Sequence, residues 1–217
     1  MRGRSNAERT ESDGEELAPF HGFQVPGICF ESGHWVWLLQ FTETPTVVPA
    51  YFEVWLISPD DVVTLFVDRP EAIPVIERYH EFDAVVEATI DCRLPDPETI
   101  RVAVRGEDGT ELDLELVHEP TPRARILTAM MRATPRSVAR SQLGAVIATA
   151  TLGLVLPANG LRIAGVTDTG RPYRTEPDRL TVGTEASATL DGEGLGRLSD
   201  PDRPIAFGEL YLGRPIE

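Results

Sequence analysis

Two runs of alternating apolar and polar residues, 99–104 and 110–117, bracket Gly106-Glu107-Asp108-Gly109, and that pattern constrains the chain to a β-hairpin. Leu112, Leu114 and Leu116 fall on one face and Asp113 and Glu115 on the other. One face is therefore buried and the other wet, which is the signature of an antiparallel sheet.

The same signal recurs along the chain. Residues 34–41 (His-Trp-Val-Trp-Leu-Leu-Gln-Phe) are aromatic and branched at strand length, and 42–49 form a proline-containing loop. Runs 51–57 and 62–67 flank Ser58-Pro59-Asp60-Asp61, whose proline and aspartates suit a tight reversal. Residues 69–82 carry two prolines and mixed charge, 84–92 alternate as a further strand, and strands near 180–190 and 205–212 close the chain. The first nineteen residues lack both periodicity and the apolar centre of a signal peptide, so a disordered acidic tail is expected over 1–19, with a single β-rich domain over 20–217.

One segment departs from this rhythm. No carboxylate stands between Glu119 and Asp168, whereas Arg123, Arg125, Arg132, Arg136, Arg140 and Arg162 all fall there. Leu127, Ala129, Met130 and Met131 are helix formers, and Thr134-Pro135 has the form of an N-cap followed by proline at the first helical position. Two short helices are expected, near 123–133 and 135–147. Residues 148–156 fit either a strand or a continued helix, with Pro157-Ala158-Asn159-Gly160 turning behind them. The fold predicted is mainly β (α+β), an antiparallel sandwich or partly open barrel of about eight to ten strands with the helix pair inserted.

Charge bounds the function. The chain has 35 acidic and 20 basic residues, a net charge of −15, and every basic residue is arginine. A carboxylate-rich, lysine-free surface stays hydrated in concentrated salt, where a Debye length of about 3 Å at 1 M screens its self-repulsion. The expectation is a halophile's cytoplasm. Such a surface argues against a phosphate-tracking nucleic-acid binder, and the absence of lysine excludes Schiff-base and P-loop lysine chemistry. Cys29 and Cys92 lie in apolar surroundings and are expected to be buried and reduced.

Three constellations are candidates for function. Trp35, Trp37 and Trp55, with Met130 and Met131, would line a site for an apolar or amphipathic small molecule, although a tryptophan stripe also serves as plain core. Arg132, Arg136 and Arg140 would contact a protein partner, an anionic ligand or a membrane surface, or else pair with the acidic strands around them. His80, beside Glu81 and Asp83, is a catalytic candidate because a neighbouring carboxylate orients an imidazole for acid–base work. Cys29, Glu31 and His34 match no closed zinc pattern, and neither a metal nor a cofactor is expected.

Overall fold

The computed structural model describes residues 17–134, 164–199 and 203–213. Its strands are β1 (Leu17–Cys29), β2 (Trp35–Glu43), β3 (Tyr51–Ile57), β4 (Val63–Val67), β5 (Ala84–Asp96), β6 (Thr99–Gly106), β7 (Glu111–Glu119), β8 (Ala164–Val166), β9 (Pro172–Leu190), β10 (Glu193–Arg197) and β11 (Arg203–Gly213). Two helices join them: α1 (Ile73–Ile76), entered through a 3-10 turn at Pro70–Ala72, and α2 (Pro122–Ala133). The expected helix near 135–147, the ambiguous run 148–156 and the turn at 157–160 lie outside the described residues. β1 begins at Leu17, so the last three residues assigned to the tail start the sheet, paired with Gly213, Leu212 and Tyr211 of β11.

The sheet follows the order β9-β11-β1-β2-β3-β4-β5-β6-β7 and closes into a ring when β7 pairs back onto β9. β9 makes this possible by its length. Its first half pairs with β11 and its second with β7, while β10 takes over from β11 near Leu190. The architecture is a mainly β sandwich or partly open barrel. It is not antiparallel throughout, because β4 and β5 run parallel, from Thr64 opposite Ala84 to Val67 opposite Glu87. Residues 68–83 cross over the outside of the sheet instead of turning back, and a crossover returns the chain in its original direction.

Two apolar cores result. Inside the ring, Phe23, Val36, Leu38, Phe52, Val54, Phe66, Ile100, Val102, Leu112, Leu114 and Leu116 meet. Outside it, the crossover lays Ala72, Val75, Ile76 and Tyr79 on Phe20, Leu39, Phe41, Tyr51, Trp55 and Leu65. β3 is covered on both faces, so its residues are buried almost without interruption, whereas β7 alternates as the sequence pattern predicts.

Helix α2 is placed by a backbone need. Where β7 leaves β9, the edge of β9 loses its ladder partner. Thr128 Oγ1 accepts the Leu180 N–H at 3.0 Å, and one turn on, Arg132 Nε donates to the Asp178 carbonyl at 2.9 Å. Thr121 caps the helix through its Oγ1, which accepts the Ala124 N–H, and Pro122 opens its first turn.

Candidate functional site

On the outer face of the ring, Trp37 of β2 stands directly opposite Trp55 of β3, and their rings stack with centroids 5.5 Å apart and planes 17° from parallel. Trp35, two residues before Trp37, shares that face. Trp35 and Trp37 are half-buried, and Trp55 is buried between them and the crossover. Gly27 of β1 lets the rings lie close to the backbone: a β-carbon there would come within 3.1 Å of the Trp35 ring and 3.2 Å of Trp37 Nε1. The Arg203 guanidinium covers Trp35 at 5.0 Å, a cation–π distance.

The crossover supplies the other wall. His80, just beyond α1, meets Trp55 edge-on with centroids 4.5 Å apart, and Phe82 does so at 5.1 Å. Beneath them lies Glu53, on the same face of β3 as Trp55 and only 3% exposed. Its Oε2 accepts the Trp55 indole N–H at 3.0 Å. Burial pushes the Glu53 carboxyl up to about 7, against the opposing pull of that hydrogen bond and of the His80 charge. Burial, with Glu53 and Tyr79 nearby, also raises the Tyr51 hydroxyl well above its ordinary range.

His80 is oriented by Asp168, whose Oδ2 lies 3.1 Å from His80 Nδ1. The His80 hydrogen bond holds the Asp168 carboxyl below its usual range. Thr169 Oγ1 donates to the Arg78 carbonyl at 2.6 Å, so the turn between β8 and β9 is tied to the crossover at two points. Asp83, the partner proposed from sequence proximity, is engaged elsewhere: its Oδ2 accepts the Val63 N–H at 2.8 Å and pins β4 to the start of β5. The site is thus a half-open aromatic face with an oriented imidazole at its rim and a carboxyl below that changes charge near neutrality.

The structure brings Trp35, Trp37, Trp55 and His80 together. Met130 and Met131 belong to α2, which packs on β9, and β11 and β1 separate β9 from β2 around the ring. Those methionines are therefore not part of the tryptophan face. Arg132 lies on the same helix, and Arg136 and Arg140 are outside the described residues. Glu53 is not among the residues that the sequence pattern singled out, although it is the lone charge inside the apolar run Tyr51–Ile57.

Other polar features point elsewhere. His34 Nδ1 contacts Ser32 Oγ and Glu31 Oε2 accepts the Arg197 N–H; among the described residues no group of three or more histidines, cysteines and carboxylates is placed to hold a metal. Both cysteines are free and half-buried, not fully buried as expected, and burial with Asp91 pushes the Cys92 thiol up to about 11. An open concavity of about 430 Å³ on the outside of β5, β6, β7 and β9 is lined by Asp91, Arg93, Arg101, Asp113 and Glu115, with Arg101 paired to Glu115 at 2.7 Å. Among the described residues no helix is long and apolar enough to cross a membrane. No family model matches the chain, and no curated protein matches it.

Proposed function

We propose that this protein is a binding module for an apolar or amphipathic small molecule, seated on the outer face formed by Trp35, Trp37 and Trp55, and that it works in the cytoplasm of a halophile. The observation that carries this reading is the stacked Trp37–Trp55 pair. Stacked on the buried Trp55, the Trp37 ring keeps part of its apolar area accessible, and an aromatic or alicyclic ring laid on it gains offset stacking as well as burial. Arg203 beside Trp35 and His80 beside Trp55 supply polar contacts at the two ends, which suits a ligand with an apolar body and a polar or anionic end.

The interior of the ring supports this placement by contrast, since side chains from successive strands fill it. The surface chemistry is consistent with a cell interior at high salt, where apolar contacts strengthen and isolated ion pairs weaken.

The test is a titration of 8-anilinonaphthalene-1-sulfonate into the folded chain at molar salt, read by energy transfer from tryptophan. A saturable signal that Trp37→Ala weakens roughly three- to tenfold is expected, from the worth of one aromatic pair. A signal that does not saturate, or that Trp37→Ala leaves unchanged, overturns the reading.

A further inference from the structure

Helix α2 carries two apolar stripes and buries only one. Ala124, Leu127, Thr128 and Met131 follow the i, i+3, i+4, i+7 spacing of one helical face; Ala124 and Leu127 are buried, and Thr128 bonds to β9. Ile126, Ala129, Met130 and Ala133 repeat the same spacing on the opposite side. All four are exposed, Ile126 by 59% and Met130 by 51%.

A helix facing only water on that side would carry polar residues there. The charged residues of α2 are arginines, and at 3.6 residues per turn they fall on the margins of the exposed stripe. Arg125 and Arg132 border one side and Arg123 the other, and Arg132 is steadied there by its bond to Asp178. No acidic residue lies in α2, within a chain of net charge −15.

We propose that α2 docks peripherally on an anionic lipid bilayer, lying in its plane. Ile126, Ala129, Met130 and Ala133 enter the acyl boundary while Arg123, Arg125 and Arg132 reach the phosphates. Charge decides between this partner and a second copy of the chain. A two-fold contact would set the stripe against itself and bring arginine margin against arginine margin, whereas a bilayer offers an apolar layer beneath a negative one. At 12 residues, or about 18 Å, the helix is too short to cross.

The experiment floats the full chain through a density gradient with vesicles of phosphatidylglycerol and phosphatidylcholine, or of phosphatidylcholine alone, at the lowest salt that preserves its circular dichroism. The wild type is expected to rise with the anionic vesicles and at least fivefold less with the neutral ones. Arg123→Glu with Arg125→Glu lowers the floated fraction at least fivefold, and Ile126→Asp with Met130→Asp brings it to background. Both pairs are exposed, so the dichroism stays native; Ile126→Gln with Met130→Gln is the milder substitute if it does not. Failure of the wild type to float with anionic vesicles, or flotation unaffected by both pairs, overturns the proposal. So does a wild-type dimer that the variants dissociate in the absence of flotation, which would assign the stripe to a second copy.

Discussion

The indole N–H of Trp55 is bonded to Oε2 of Glu53, two residues back on the same face of β3, at 3.0 Å. One member of the stacked tryptophan pair is thereby tied to a buried carboxyl whose charge changes near neutrality. Tryptophan face and buried carboxyl are coupled through one hydrogen bond.

Glu53 makes stability depend on pH in a defined direction. Its folded pKa of about 7 lies above the ordinary 4.5, so the native state holds an extra proton between those values. This contribution is fully present below about 4.5 and is lost as pH rises through about 7. The shift corresponds to about 3 kcal/mol, at 1.36 kcal/mol per unit. Urea unfolding at constant salt should show the wild type losing stability between pH 5 and pH 8 relative to Glu53→Gln, with the variant the more stable at pH 8. A parallel pH profile for the two proteins would remove Glu53 as the source.

Gly208 sits at the bulge where β11 meets β9, with φ of +142°. An added β-carbon would lie 2.6 Å from the Asp178 nitrogen and 2.8 Å from the Glu176 oxygen, both of them backbone atoms that cannot swing away. Gly208→Ala is expected to cost about 3 kcal/mol or more, from strain and displacement of the β9 strand. An unchanged thermal midpoint would contradict this geometry.

Thr128 holds the opened edge of β9. Thr128→Val keeps the side chain's shape but leaves the Leu180 N–H without its acceptor, at a cost of about 1 kcal/mol. Amide exchange at Leu180 should accelerate more than exchange at Leu114, which lies within the intact β6–β7 ladder. Equal protection at both sites in the variant would show that α2 does not seal this edge.

Much of the fold was legible because alternation reports which residues share a face. The β6–β7 hairpin, the strands at 34–41 and 51–57, and the helix at 123–133 were read from period and turn residues, and the structure has them within a few residues. Alternation says that a strand has two faces but not which one the ring encloses, so Trp35 and Trp37 were recognised as a stripe without their outward aspect. β9 is longer than its expected 180–190 and takes in Pro177, which lies opposite Gly208 next to the register shift, where the ladder is irregular. The parallel β4–β5 pair was hidden because two prolines and mixed charge disguise a crossover whose buried residues, Ala72, Val75, Ile76 and Tyr79, are few. The His80–Asp168 pair joins positions 88 residues apart, and no local pattern encodes it. Met130 and Met131 were grouped with the tryptophans on chemistry alone, and the path of β11 and β1 between them undid that grouping.

The tryptophan face is tested most directly through its own nitrogens, because the chain has only three tryptophans and all three stand on it. In a 1H–15N spectrum their indole resonances are resolved individually and can be followed as 8-anilinonaphthalene-1-sulfonate is added at molar salt. Saturable shifts are expected at Trp35 and Trp37, with a smaller one at Trp55, where Glu53 holds the N–H, while the backbone amides of β6 and β7 stay in place. Saturable shifts confined to residues away from β2 and β3, with all three indoles unmoved, would contradict it.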